Sequence, residues 1–520
     1  MKTIGIGGVL DDAACALAVD GQITAAVEQR KIARRHVAGE LPIEAIEATL
    51  QVGKVAAADI EIVAIARPLA VSNDSLLSLR VKQIFPNARL LVVDHHTAHA
   101  ASAYYASGFD QATVLTLDRS GDLRCCSRWK ASGNHLHLDR ESYFPDSMGD
   151  LYGRVTEFLG FRSRADEHKV QWLSAAGDDR FTKLFEAILG YESAKWPVLD
   201  RQYFDRDRLN AGGFSAKFYN ALELADGESP TLQLAPHVAS GLQRAVENCV
   251  LEMAGQAKNL CLAGGVAFNA LLIQALESSG RFENVYVQPA AGNAGTALGA
   301  AYYASFEGTK PLRSLALGPS YSSEEIKRVL ENCKLSPKFL LTTDELISSA
   351  LTELKEQRII AWFQDRMEFG PRALGNRSIL ASPLDPYATE NLNSFIKHRE
   401  GFRKFAASVP AELASKYFEY GANSRNLASV ATVKAEHRGQ FAPALLGESG
   451  IRLHLVEKDE NPLFHRLLIE AGNSTGLPVL YNTSFNLFGD ALVCTPRDAV
   501  RSFYSSGIDV LFAGHFLLRK

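Results

Sequence analysis

A chain of 520 residues, 47% hydrophobic and 22% charged with a formal net charge of −4, has the balance of a globular protein. At roughly 150 residues per unit its length calls for about three units. The near-neutral charge asks for neither nucleic acid nor an anionic membrane as partner, and no stretch approaches the roughly 18 uninterrupted apolar residues of a membrane span. Seven cysteines without a CxxC pair exclude zinc ribbons and secreted disulfide frameworks. A reducing cytoplasm fits them, and the short apolar run at the start is broken by Asp11 and Asp12, as a signal peptide would not be.

In chain order, Thr3 to Gly8, Ala13 to Val19 and Gln22 to Glu28 read as strands of a meander, with Asp20-Gly21 as a hairpin turn. Short apolar strands then alternate with helical stretches, at Ile60 to Ala66, Leu90 to Val93, Thr113 to Leu117, Leu260 to Ala263 and Val285 to Gln288. Alternation of this kind predicts an α/β fold with helices packed on sheets. IGIGGVLDD at the start and LTLDRSGD at 115 to 122 each place Gly and Asp just past an apolar strand, which reads as one device used twice in a duplicated domain. Segment 305 to 345, rich in Gly, Pro and Ser, is expected to contain the linker, so that one domain spans 1–320 and a second α/β domain spans 340–520.

In the first domain, His95-His96-Thr97-Ala98-His99 opens a run of small helix formers, so His95 and His99 share a helix face and can converge on one metal ion. An unrelated pair of helix-end histidines would show the same spacing. Asp118 follows an apolar strand, where α/β proteins bind ligands, although a turn aspartate is equally at home there. Gly264, Gly265 and Asn269 lie between a strand and a helix, leaving backbone N–H groups to meet a phosphate or nucleoside, or else forming a plain tight turn. Gly292 to Gly299 repeats the device, with Asn293 able to lend an oxygen to a metal and Gly295 opening the helix; small-residue packing is the alternative.

In the second domain, DRMEFGPRALGNRS (Asp365 to Ser378) carries Arg366, Arg372 and Arg377, and KHREGFRKF adds Lys397, Arg399 and Arg403. Cations interleaved with Gly, Pro and Phe suit a pocket for phosphorylated ligands better than a solvated basic face. PVLYNTSFNLFG ends a strand in amides and hydroxyls, among them Ser484 and Asn486, which can hold triphosphate oxygens or a Mg²⁺-bound phosphate or can cap the turn.

Together HHTAHAASAYYAS, EHKVQWLS, LCLAGGVAFN, GNAGTALGAA, DRMEFGPRALGNRSILASP, REGFRKFAASV and VLYNTSFN resemble the carbamoyltransferase family of nodulation, aminoglycoside, cephalosporin and ansamycin carbamoylating enzymes, over Ile4 to Phe512. The resemblance implies a duplicated actin/sugar-kinase-like (TsaD-like) domain followed by a YrdC-like α/β domain. It implies an O-carbamoyltransferase in which the second domain makes carbamoyl adenylate from carbamoyl phosphate and ATP with Mg²⁺. The first domain would pass the carbamoyl group to a hydroxyl of a specialised, antibiotic- or toxin-like metabolite, releasing AMP. It also implies His95, His99 and Asp118, with Asn293 at a fourth position, as ligands of Fe²⁺, or of Mn²⁺ or Mg²⁺. Gly264, Gly265, Asn269 and Gly295 would be nucleotide-binding, and Arg366, Arg372, Arg377, Lys397, Arg399, Arg403, Ser484 and Asn486 would hold carbamoyl phosphate and ATP.

Two positions depart from the family pattern. Where relatives read HDSA or HDAS this chain has Asp11-Asp12-Ala13-Ala14, so the catalytic candidates become Asp11 and Asp12, carboxylates with an ordinary pKa of about 4. Asn293 stands where relatives carry a ligating Asp, and a neutral amide oxygen binds a cation more weakly. Two other readings share parts of this motif set: a TsaD-like tRNA threonylcarbamoylation protein, which the arginine-rich second half argues against, and a non-catalytic nucleotide- or metal-binding relative. Oligomer formation is compatible with the sequence.

Overall fold

In the computed structural model, which describes residues 1–67, 74–205, 207, 211–305, 309–487 and 489–520, the strands form three sheets. The first contains β1 (Lys2–Gly7), β2 (Ala14–Val19), β3 (Gln22–Glu28), β4 (Ile62–Ala66) and β5 (Arg89–Val93) in the order β3-β2-β1-β4-β5. The second contains β6 (Gln111–Gly121), β7 (Arg124–Ser132), β8 (His135–Tyr143), β9 (Asn259–Ala263) and β10 (Asn284–Val287) in the order β10-β9-β6-β7-β8. In both, the leading strand pairs antiparallel with the next strand of a meander and parallel with the fourth. Exchanging β6–β10 for β1–β5 reproduces order and direction throughout, which is the duplication expected from the paired Gly–Asp turns and agrees with the actin/sugar-kinase-like architecture that the resemblance implies.

The third sheet comprises β11 (Lys338–Phe339), β12 (Ile360–Phe363), β13 (Arg377–Ala381), β14 (Ala406–Pro410), β15 (Phe418–Glu419), β16 (Val430–Val433), β17 (Gly450–Val456), β18 (Leu480–Ser484), β19 (Val510–Ala513) and β20 (Phe516–Arg519). Their order is β11-β20-β19-β12-β13-β18-β14-β17-β16-β15. Its central strands are buried on both faces: in β12, Ala361 and Phe363 enter one apolar core while Ile360 and Trp362 enter another. Successive side chains of a strand point to opposite faces, so a sheet covered on both sides needs an apolar residue at every position.

Two compact units result. One contains Met1–Asp94, Asn293–Leu445 and Ser449–Lys520, and so holds the first and third sheets; the other contains His95–Gly292 with Leu446–Glu448, and holds the second sheet. The segment anticipated as linker is more ordered than its composition suggests. A helix at Ser323–Asn332 starts in a capping box formed by Ser322 and Glu325, and Ile326 and Leu330 join the core of the third sheet. Among the described residues no helix is long and apolar enough to cross a membrane.

The first sheet fits its covering helix only because β1 carries glycine. A Cβ added at Gly5 would lie 2.0 Å from the Ala297 carbonyl oxygen in helix Gly295–Ala304, and one at Gly7 would lie 2.2 Å from Thr296 Oγ1. Gly5→Ala is therefore expected to destabilise the protein by about 3 kcal/mol, the upper part of the overpacking range, read as a lowered thermal midpoint; an unchanged midpoint would show that the helix can retreat.

In the third sheet His454 of β17 is buried with Nδ1 2.9 Å from Ser408 Oγ, and burial drives its pKa from 6.5 down to about 3. The unfolded chain takes up a proton here below pH 6.5 while the folded chain does not. Stability is thus lost progressively as pH falls from about 6.5 towards 3, by roughly 2 kcal/mol between pH 7 and pH 5. Denaturation of His454→Gln at both pH values should show a smaller acid penalty than wild type.

Candidate functional site

In the second unit the helix His95–Ser107 begins immediately after the short segment that follows β5, and β6 runs beside it. His95 Nε2 lies 2.8 Å and His99 Nε2 3.7 Å from the same oxygen, Oδ2 of Asp118. The spacing of four residues thus puts both imidazoles on the helix face that meets β6, as the sequence predicts. Burial raises the proton affinity of Asp118, but hydrogen bonds and charge from His95 and His99 outweigh it and hold the carboxyl well below the usual range.

His96 has a donor atom close to those of His95 and Asp118, yet it is committed elsewhere. Its Nδ1 lies 2.7 Å from Thr116 Oγ1 and its Nε2 3.0 Å from the Arg124 carbonyl oxygen, so Nε2 carries the proton and Nδ1 accepts from the hydroxyl. Burial keeps it neutral by lowering its pKa to about 3. His96 fixes the helix against β6 and β7, leaving His95, His99 and Asp118 as the donor set. Two imidazoles and a carboxylate suit Fe²⁺ or Mn²⁺ better than Mg²⁺, which prefers oxygen alone.

Room for a cation at this set depends on Gly121, a residue the sequence reading did not single out. A Cβ there would lie 2.3 Å from His95 Nε2 and 2.7 Å from Asp118 Oδ2. Arg119 was also missed. Its backbone N–H donates to Asp118 Oδ1 (2.8 Å), and its guanidinium reaches Asp150 (Nε to Oδ1, 3.0 Å) and Ser163 Oγ (2.8 Å). Ser147 caps the helix Met148–Phe158 by accepting from Asp150 N–H, and its hydroxyl donates to the Arg119 carbonyl (2.6 Å). The S-x-x-D pattern of Ser147 and Asp150 was a legible cap signal.

The glycine loop that follows β9 meets the same strand end. Gly264 has φ +96°, and a Cβ on it would lie 2.3 Å from the Leu117 carbonyl oxygen, so both its backbone conformation and its space require glycine. A Cβ on Gly265 would come 3.6 Å from Asp118 Oδ1. Asn269 has a scaffolding role: Oδ1 caps helix Ala270–Ser278 through Leu272 N–H, and its amide pairs reciprocally with that of Gln243 (2.7 and 3.0 Å).

In the first unit, Asn293 accepts the Thr296 hydroxyl on its carbonyl (2.6 Å), and Gly295 begins the buried helix Gly295–Ala304. Asp11 and Asp12 sit in the β1–β2 turn, with Arg30 3.6 and 3.5 Å from their carboxylates. Desolvation, then the Asp11 charge, pushes the half-buried Asp12 carboxyl above the ordinary carboxylate range against the pull of Arg30.

The cations of the second motif set separate into two groups. Arg366 donates to the carbonyls of Gly318 (3.2 Å), Thr24 (2.9 Å) and Leu317 (2.7 Å). Arg377, fully buried in β13, donates to the carbonyls of Gln364, Asp365, Asn376 and Pro319 and stacks on Phe363 at 3.8 Å. Expected to hold phosphate, these two place Nε and Nη2 of Arg366 and Nη1 and Nη2 of Arg377 on main-chain carbonyls.

Arg372, Lys397, Arg399 and Arg403 do converge, and Arg452 of β17 joins them. Burial, then the charge of Arg403, lowers Arg372 to about 10 and Arg399 to about 9. Burial with the charges of Arg372, Arg399 and Arg403 takes Arg452 well below its ordinary value. Arg399 is held by Asn393 Oδ1 (2.7 Å) and the Phe405 ring (4.3 Å). Lys397 ends a π-helical stretch, Leu392–Lys397, and donates to the Ser484 carbonyl (2.5 Å), Asn486 Oδ1 (2.7 Å) and the Asn486 carbonyl (3.0 Å). It ties KHREGFR to NTSFN, whose Ser484 hydroxyl donates to Asn486 Oδ1 (2.7 Å). Arg452 carried one sequence signal, a cation inside the apolar strand GIRLHLV.

In the same unit as His95, Tyr143 and Phe144 are exposed whereas Trp196 is buried.

Comparison with known proteins places these residues in a family. The carbamoyltransferase N-terminus family matches residues 69–302 and the carbamoyltransferase C-terminus family residues 351–520. Nodulation protein NolNO of Sinorhizobium fredii is 32% identical over 98% of this chain and 79% of its own length. Nodulation protein NolO of Bradyrhizobium diazoefficiens is 34% identical over 82% of this chain and 79% of its own. An uncharacterized protein of Synechocystis sp. is 31% identical over 99% of this chain and 96% of its own. On these matches the chain belongs to the carbamoyltransferase family.

Proposed function

We propose that this carbamoyltransferase is ATP-dependent, forms carbamoyl adenylate from carbamoyl phosphate and ATP, and transfers the carbamoyl group to a hydroxyl of a specialised metabolite. The observation that carries the first step is the convergence of Arg372, Lys397, Arg399, Arg403 and Arg452 in a buried setting. The four arginines repel one another in low dielectric, with Glu400 3.9 Å from Arg403 offsetting part of their charge and Lys397 already tied to Ser484 and Asn486, and a ligand with several negative charges, as ATP and carbamoyl phosphate have, would stabilise them. Joining the carbamoyl group to AMP releases pyrophosphate from ATP and phosphate from carbamoyl phosphate, with one water consumed. The cluster is suited to hold charge that develops on the departing pyrophosphate. Lys397, by fixing Ser484 and Asn486, would keep the strand-end amides and hydroxyls turned to the ATP phosphates.

For the second step, the acceptor hydroxyl attacks the carbamoyl carbon, its proton passes to a carboxylate, and AMP leaves. Asp12 is the better placed of the two candidates, because desolvation and the neighbouring Asp11 charge raise its proton affinity towards that of a useful base. The Gly264–Gly265 turn would admit the nucleotide phosphate to the end of β6. His95, His99 and Asp118 would hold Fe²⁺, which when bound supplies positive charge beside that phosphate.

Purified protein given ATP and carbamoyl phosphate should release pyrophosphate, and Arg452→Gln should slow this by about 10- to 100-fold, the effect of one charged phosphate contact. No pyrophosphate from the wild type would sink the adenylation step; equal rates would remove Arg452 from it. Mass spectrometry of hydroxylated metabolites after the same incubation reads the transfer. For the metal, wild type loaded anaerobically with Fe²⁺ should retain about one iron per chain, and His99→Gln should bind at least tenfold more weakly. Equal retention by both would remove His99 from the donor set.

A further inference from the structure

A cavity of about 500 Å³ in the second unit is lined by Arg128, Arg140, Lys195 and Arg281 together with Glu252 and Gln256. Its position sets it apart from His95, His99 and Asp118. Gly255 and Arg281 stand just ahead of β9 and β10, whereas Gly264 follows the far end of β9; Arg128 pairs with Leu115, short of Asp118 along β6. Glu252, Gly255, Gln256 and Arg281 put much of the lining towards the end of the sheet where β9 and β10 begin.

The cations come from separate elements and are held in place. Each arginine is tethered by one Nη1 to a main-chain carbonyl: Arg128 to Met253 (2.9 Å), Arg140 to Ala194 (2.9 Å) and Arg281 to Leu251 (2.9 Å). A guanidinium fixed at one nitrogen has lost most of its rotamer freedom and presents its other donors in a set direction, which lowers the cost of holding a phosphate. Arg128 and Arg140 are moreover direct cross-strand partners of β7 and β8, an arrangement that like charges disfavour. Both lie over the buried Trp196 ring, at 5.9 and 5.0 Å.

Two carboxylates offset four cations: Asp139 pairs with Arg128 (2.6 Å), and Glu252 with Arg281 (3.0 Å) and Lys195 (3.6 Å). A net positive charge of about two remains, and a dianion would neutralise it. The volume exceeds that of a lone phosphate ion and falls within the roughly 300–1,000 Å³ of small-molecule sites.

We propose that this cavity binds a phosphorylated small molecule, at a site separate from the candidate metal and nucleotide residues of the same unit. The proposal is independent of the adenylation chemistry.

Inorganic pyrophosphate serves as the probe, titrated calorimetrically into the full chain carrying Arg372→Gln and Arg403→Gln so that the other cation cluster is weakened. Pyrophosphate should still bind, and adding Arg140→Gln with Lys195→Gln should weaken it at least tenfold. Lys195→Glu, a reversal on a side chain 72% exposed and so tolerable to the fold, should weaken it at least threefold by itself. Absence of binding in the starting variant, or unchanged affinity after either substitution, overturns the site.

Discussion

The segment from Gln364 to Arg377 is largely buried with almost no regular structure, so its main-chain groups must find partners elsewhere, and this requirement shapes the first unit around it. Four charged side chains meet it. The Glu368 carboxylate accepts the N–H groups of Leu374 (2.8 Å), Asn376 (2.8 Å) and Arg377 (3.1 Å), while the Arg377 guanidinium collects carbonyls from the other side of the loop. Lys31, buried and paired with Glu28, donates to the Glu368 and Gly370 carbonyls (2.9 and 2.5 Å), and Glu28 accepts from Gly370 N–H (3.1 Å). A motif that reads as ligand chemistry is thus in large part its own scaffold, and Arg372 is the cation it leaves for the cluster.

The duplicated fold was legible because the signal is local. An apolar strand closed by Gly and Asp occurs at Gly7 to Asp12 and at Leu117 to Asp122, and each begins a sheet of the same order. The ten-stranded sheet was much less legible. Its strands are two to seven residues long and several are apolar at every position, as in Ile360–Phe363 and Val510–Ala513, so they lack the alternation that distinguishes a strand from a buried helix segment. Partners such as β13 and β18, or β12 and β19, are brought together from more than 100 residues apart, and nothing in the intervening sequence encodes that pairing.

The candidate sites divide in the same way. His95, His99 and Asp118 were readable since helical spacing and a strand end fix them locally. His96 was not separated from them by composition; it points elsewhere because one residue along a helix turns the side chain by about 100°. Gly121 and Arg452 gave weak signals, for the one matters by what its missing side chain leaves open and the other by cations far along the chain. For Arg366 and Arg377 the sequence shows a charge but not that several of its donors meet main-chain carbonyls.

In the proposed transfer, Asp11 and Asp12 stand where relatives read HDSA or HDAS, and their surroundings bear on how readily one of them would accept a proton. Desolvation and, after it, the Asp11 charge raise the proton affinity of Asp12. Arg30, beside both carboxylates, opposes that rise. An activated carbamoyl group with AMP as leaving group asks less of its base than an unactivated one, since the acceptor oxygen need be only partly deprotonated when the bond forms. A carboxylate of raised proton affinity would suit that task, so in the proposed reaction the altered turn and an adenylate donor are chemically consistent with each other.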